Sequence, residues 1–206
     1  MSKYGHRKHN WFEAIVNKLG GEQKAEAFLR GELEVVEVER AWREEDGIIY
    51  FSVTSDGTTG EEWAERLTQG GFRVSGYAKS VLCSSDFKPT SGVTTEVAVM
   101  KGMLFGDGDR VTEKIRSEAT KRGFTNPNAE VACLIREKFS DKEIKAMGLR
   151  WIVAMHDPIE DADGGPDLLS ANRSDDGSWL SAHYDWPGAR WDRGDGFAFV
   201  AAQVGA

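Results

Sequence analysis

Only two cysteines occur in the 206 residues, Cys83 and Cys133, and neither has a partner at metal-ligand spacing. That argues against a cysteine-based zinc site and makes a disulfide depend on the fold bringing the pair together. Both fall in helical patterns and read as small buried thiols of a reducing, cytoplasmic protein. No apolar run approaches the roughly 18 residues that a membrane span needs. The opening stretch, MSKYGHRKHNWFEAIV, has neither an apolar core nor a small-residue cleavage site, so a secretory signal and a membrane partner are not expected. Zinc-finger spacing and an RNP-like aromatic motif are missing. HExxH, GxSxG, Walker A and GxGxxG patterns are missing too. Zincin, α/β-hydrolase and nucleotide-loop chemistry therefore have no signature to rest on.

Positive charge is scarce where the chain is most acidic. From His156 onward there are ten Asp or Glu against three Arg and no Lys, a net of −7 out of −8 for the whole chain. Such a segment repels a phosphate backbone, so nucleic acid is not the expected partner. A basic protein or peptide is. The HRKH cluster at residues 6–9 is short and reads as a frayed terminus.

What is present describes an ordinary folded chain. Hydrophobic residues make up 40% and charged residues 29%, enough for a sizeable core in one domain with a small appended module. Residues 1–46 read as a helical hairpin (11–19 and 22–30, each stopped by Gly) and an edge strand at 32–38, all packed on the main domain. Residues 47–155 read as an α/β core. Its strands would be 48–54, 95–105 (kinked at Gly102) and 150–156, with the stretch beginning at Thr94 central. Helices are expected at 61–69, 75–83, 111–122, 129–139 and 140–147. Tyr77, Ala78, Val81 and Leu82 would point inward from the second of these. Thr58 or Thr59 and Ser140, each with Glu three residues later, are the caps expected for two of them. Residues 156–206 read as an acidic, Trp-rich β segment: a hairpin at 168–184 around Asp175-Asp176-Gly177, a loop, and a last strand at 197–204. The fold class expected is α+β, a mixed sheet flanked by helices with a C-terminal β-hairpin.

A shift of 52 residues lays 50–87 over 102–139 without a gap, matching Glu61 with Glu113, Gly71-Phe72 with Gly123-Phe124 and Leu82 with Leu134. The match reads equally as a weak internal duplication or as coincidence. Connections of this length permit parallel strand pairing.

Three constellations could carry function. The first is the acidic tract after strand 150–156. His156 and Asp157 stand at a strand end, where ligands of α/β sheets gather. Asp161, Asp163 and Asp167 are oxygen ligands of the kind Ca²⁺ or Mg²⁺ takes. His156 and His183 with Asp157 or Asp185 would make a mixed imidazole and carboxylate site, and His156, Asp157, Asp161 and Asp163 with His183 would form a metal-assisted hydrolase site. The EF-hand pattern fails, since Gly164 comes too early, and a solvated turn is the competing reading. The second is the loop 55–60, whose backbone donors at a helix start suit an anion or nucleotide, with helix capping as the plainer alternative. The third is the aromatic tail, where Trp186 and Trp191 lie in a Pro- and Gly-containing loop and are expected to be exposed as binding residues. The absence of a complete catalytic motif favours this third reading, a non-catalytic binding or interaction domain, over the hydrolase and the anion site.

The segments NKLGG (17–21), FLRGEL (28–33), FSVTSDGTTGEEW (51–63), FKPTSGVTTEVAV (87–99), NAEVACLIREKFS (128–140) and GFAFVAAQV (196–204) resemble a family of uncharacterised bacterial proteins of about this length from candidate-phylum lineages. The resemblance spans nearly the whole chain. It implies a bacterial origin and a single full-length unit, and brings no activity, cofactor or catalytic residue with it.

Overall fold

The computed structural model describes residues 9–34 and 40–201. The chain divides into two compact units, Met1–Arg40 and Ala41–Ala206. The boundary thus falls six residues before the position expected from sequence. Trp42 and the strand that follows belong to the second unit.

The first unit is a pair of short helices, α1 (His9–Leu19) and α2 (Glu22–Leu29). Gly20 and Gly21 both take positive φ, and the Gly21 N–H reaches back to the Val16 carbonyl, which closes α1. Gly31 at φ 74 closes α2 in the same manner. Val16, Leu19, Ala25 and Ala27 are half-buried, whereas no residue of α2 is fully buried. Residues 35–39 of the expected edge strand lie outside the described residues, and 32–34 are not strand.

The second unit is an α+β structure built on one nine-stranded mixed sheet. Its strands are β1 (Arg43–Glu45), β2 (Ile48–Asp56), β3 (Arg73–Val74), β4 (Ser91–Lys101), β5 (Trp151–Ala154), β6 (Ile159–Glu160), β7 (Pro166–Ser174), β8 (Gly177–Tyr184) and β9 (Asp195–Val200). The spatial order is β1-β2-β4-β9-β5-β7-β8-β3, with β6 paired to β7. Asp46 and Gly47, both at positive φ, make the two-residue turn between β1 and β2. Strand β4 lies in the sheet interior, as its apolar sequence requires. The last strand, β9, enters the sheet between β4 (antiparallel) and β5 (parallel), so it is central rather than an extension. All five residues from Asp195 to Phe199 are buried, as expected of a strand covered on both faces.

Helices cover one face of the sheet. They are α3 (Gly60–Gln69), α4 (Gly76–Leu82), α6 (Glu130–Lys138) and α7 (Asp141–Ala146). Trp63 and Leu67 of α3, Val81 and Leu82 of α4 and Ile135 of α6 join Ile49, Phe51 and Val53 of β2 and Val97 and Val99 of β4 in one apolar layer. Phe51 meets Phe139 edge to face at 4.7 Å, an arrangement that adds ~0.5–1.5 kcal/mol beyond area burial. The other face carries α5 (Thr112–Lys121) and the loop before β9, with Ile115, Trp191, Phe197 and Met155 in a second layer. The expected capping boxes form at Thr59 with Glu62 and at Ser140 with Glu143. After Lys101 the chain leaves the sheet through a 3-10 turn at Gly102–Leu104. A side chain at Gly102 would stand 2.6 Å from the Asp192 carbonyl, so the turn depends on glycine.

A displacement of 52 residues carries α3 onto α5 residue for residue. It carries β2 onto a segment that quits the sheet after Lys101. The parallel pairings are β5 with β9 and β3 with β8, whereas β2 and β4 are antiparallel neighbours.

Candidate functional site

The chain beyond β5 positions every residue of the acidic tract. Met155 still bonds to Ala198 of β9, and then the strand diverges from β7. His156 fills the gap. It is buried, and its Nε2 accepts the Leu169 N–H of β7 at 2.9 Å. Nε2 is therefore unprotonated, and Nδ1 donates to the Asp157 carbonyl at 2.6 Å. Burial pushes the ring down to about 4 against the backbone bond to Asp157, so it is neutral at physiological pH. Both nitrogens are committed to backbone, which leaves none for a metal or a proton transfer. Asp157 turns to the surface and accepts from Asn126 at 2.8 Å.

Residues 159–167 fold into a small hairpin, β6 with β7. Asp161 organises its turn: Oδ1 accepts the N–H groups of Asp163 (2.8 Å) and Gly165 (2.9 Å). Asp167, buried at 4% exposure, lies in β7 opposite Tyr184 of β8 and is hydrogen-bonded to Asp161, carboxyl to carboxyl. Burial and the Asp161 charge beside it push Asp167 up to about 6. Asp161, Asp163 and Asp167 line one groove with Tyr77, Gly165 and Tyr184. Tyr77 and Tyr184 are 55% and 59% exposed. Tyr77 therefore leaves the inward face of α4 that its sequence spacing suggested. Among the described residues, no Lys or Arg ion-pairs with any of the three carboxylates.

His183 borders this groove, but its ring points away from it. In the β7–β8 register it stands opposite Leu168, on the other face of the sheet from Asp167 and Tyr184. There the ring stacks on Trp151 at 4.8 Å and meets Trp191 edge-on at 5.7 Å. Burial lowers its pKa to about 4, and Nε2 has no partner among the described residues. The expected histidine–carboxylate cluster of His156, Asp157, Asp161, Asp163 and His183 does not converge. No group of three or more metal-ligating side chains is assembled among the described residues.

The two tryptophans separate. Trp186 is 55% exposed and borders a second groove with Thr112, Arg116, Asp185 and Pro187. Trp191, expected to be exposed beside it, is a core residue at 9% exposure that packs on Phe197 and donates Nε1–H to Thr112 Oγ1 at 3.0 Å. The reason is the loop's second task. Its Pro187 and Ala189 carbonyls accept the Glu113 and Thr112 N–H groups, capping α5, which has no side-chain cap of its own. Arg116 holds the neighbouring strand end together. It donates to the Met155 and His156 carbonyls (3.0 and 3.1 Å), Asn126 Oδ1 (3.2 Å) and Asp185 Oδ2 (3.0 Å).

The loop 55–60 is satisfied from within. Asp56 accepts from Thr58 and pairs with Arg66, and Glu62 takes the Thr59 N–H. Thr59 in turn caps Glu62, and Gly60 packs so closely that a Cβ there would lie 1.8 Å from the Leu82 carbonyl. The donors an anion would need already serve the loop's own carboxylates. Cys133 is buried, with its thiol pushed up by desolvation, whereas Cys83 ends α4 exposed; both are free. No described helix is long and apolar enough to cross a membrane.

Sequence spacing located the three aspartates, but not Tyr77 or Tyr184 beside them. The alternation of β8 did place Tyr184 and Ala182 on one face. Nothing linked Tyr77, more than a hundred residues earlier in the chain, to that face. Comparisons with protein-family models, with curated proteins and with solved structures find no match to this chain.

Proposed function

We propose that this chain is a cytoplasmic, non-catalytic binding protein whose acidic, aromatic C-terminal surface takes the cationic side chains of a basic protein or peptide. The observation that carries the reading is the groove of Asp161, Asp163 and Asp167 between exposed Tyr77 and Tyr184, with no internal Lys or Arg among the described residues to neutralise it. An ammonium or guanidinium group entering the groove gains charge-assisted hydrogen bonds to the carboxylates and the quadrupole of two tyrosine rings. The net −7 from His156 onward adds long-range attraction for such a partner. Trp186 is also exposed and offers an aromatic ring in the separate groove beside Arg116 and Asp185.

The test is titration of the full chain with Lys- and Arg-rich peptides at low and at physiological salt. Binding that weakens with salt, falls in Asp161→Asn and Asp163→Asn and falls again in Tyr184→Ala supports the reading. Absence of binding at low salt, or equal affinity in all variants, overturns it.

A further inference from the structure

The groove of Asp161, Asp163 and Asp167 opens onto a strand edge. Along a strand, the N–H and C=O of successive residues point to opposite sides. In β8 the odd-numbered residues face β7: just past the strand's end, the Asp185 N–H reaches the Pro166 carbonyl. The even-numbered residues face outward, where the Leu180 carbonyl accepts the Ser75 N–H. Strand β3 covers that side only at Trp179 and Leu180, and the chain then turns away into α4. Ala182 and Tyr184 therefore hold their N–H and C=O groups outward beyond the end of β3. Among the described residues of the second unit, no hydrogen bond takes up these groups. The space beside them is open: Tyr77 and Tyr184 are more than half exposed, and a Cβ on Gly76, at the start of α4, would meet nothing within 4 Å. Ala182 and Tyr184 also line the acidic groove, so free main-chain groups and carboxylates lie side by side. We propose that the basic partner binds as an extended peptide that adds a strand to β8 along Ala182–Tyr184, in line with β3. The inference rests on the cation-binding reading of the groove and names how the partner is held.

The outward N–H and C=O groups of Ala182 and Tyr184 are met by the main chain of an extended peptide whatever its sequence. Sequence preference comes from the groove. Side chains of an added strand alternate between the two faces of the sheet, so every second one passes over Ala182 and Tyr184 toward Asp167, which stands opposite Tyr184 on the same face. Asp167 lies one strand further in, about 10 Å from an added strand at the usual spacing of ~4.8 Å, a span that only long side chains cross. Lys and Arg cross it with an apolar stem and carry their charge at the far end, against the three carboxylates. The partner that fits is thus a peptide with Lys or Arg at alternate positions. A helical partner fits poorly, because its main-chain groups bond within the helix and leave those of Ala182 and Tyr184 unused.

Amide exchange read residue by residue by NMR, on the full chain with and without a Lys-rich peptide at low salt, tests this. In the free chain the Ala182 and Tyr184 amides should exchange fast, and those of Ser181 and His183, which face β7, slowly. Bound peptide should slow the first pair at least about ten-fold, as a main-chain hydrogen bond does. N-methylation of the peptide at alternate residues should cost about two- to ten-fold in affinity per bond removed in one phase and nothing in the other. Ala182→Pro removes an outward N–H and no bond to β7, a change that edge strands tolerate, and should weaken peptide binding while keeping the main thermal transition. If that variant folds poorly, the methylated peptides decide alone. Binding that leaves Ala182 and Tyr184 exchanging freely, or equal affinity for both methylated peptides, overturns the added strand and leaves the groove reading standing. Slow exchange of these two amides in the free chain shows the edge already covered and overturns it too. A chain that binds no basic peptide at low salt overturns both readings.

Discussion

Replacing Asp167 by Asn should stabilise the protein at neutral pH while weakening its hold on a cation. Asp167 is almost fully buried and shares a hydrogen bond with Asp161, and its pKa rises from the ordinary value near 3.9 to about 6. A carboxyl whose folded-state pKa is raised favours the folded state most below the unfolded value. That advantage is lost as pH rises from about 4 through 6, because the folded chain must then give up a proton it holds more tightly. A shift of ~2 units corresponds to ~3 kcal/mol as an upper bound, and solvent at the groove mouth brings it to ~1–2 kcal/mol. An asparagine amide donates to Asp161 where the shared proton did, so the variant keeps the hydrogen bond and drops the charge. For a chain of this length, ~1–2 kcal/mol raises the melting temperature by ~2–8 °C. Thermal unfolding of both proteins at pH 4 and pH 7.5 is the assay: the gain should be present at pH 7.5 and nearly vanish at pH 4. Peptide affinity should fall several-fold in the same variant, since the destabilising charge is the one the partner neutralises. A variant less stable at pH 7.5, or a difference independent of pH, would refute the carboxyl pairing.

His156→Ala leaves the buried Leu169 N–H without an acceptor and opens a cavity, so it should cost ~3 kcal/mol in urea unfolding; a loss below ~0.5 kcal/mol would show the ring is not structural. His156 and His183 both have folded pKa values near 4, below the unfolded value, so each contributes stability above pH 6.5 that is lost as pH falls through 4. His183→Phe keeps the stacking on Trp151 without the titration and should flatten the urea-midpoint profile between about pH 6.5 and 4; an unchanged slope would contradict its burial. Trp191→Ala should cost ~3–5 kcal/mol, and Trp186→Ala less than ~0.5 kcal/mol with weaker peptide binding; equal losses of stability in the two would reverse the burial assigned to them.

The element types were written locally. Thr59 with Glu62 and Ser140 with Glu143 fixed helix starts through side chains three residues apart, and glycines at 20, 31 and 71 fixed helix ends by their access to positive φ. The α+β class followed from these elements and from the apolar runs between them. The three aspartates of the groove were legible for the same reason, since Asp161 shapes its turn by bonds to residues two and four positions on. Tertiary structure alone decided what depends on distant partners. The sequence of β9 announces a strand buried on both faces, but its place between β4 and β5 comes from neighbours that are roughly 45 or more residues away. Trp191 reads as exposed because Pro and Gly surround it. It is buried because the loop folds back to cap α5 and carries the ring to Thr112. His156 stands where a catalytic strand-end residue would. A single N–H from β7, thirteen residues on, turns it into backbone support. Capping and turn bonds span a few residues and leave their mark in order along the chain, whereas burial and pairing are set by whatever the completed sheet brings alongside.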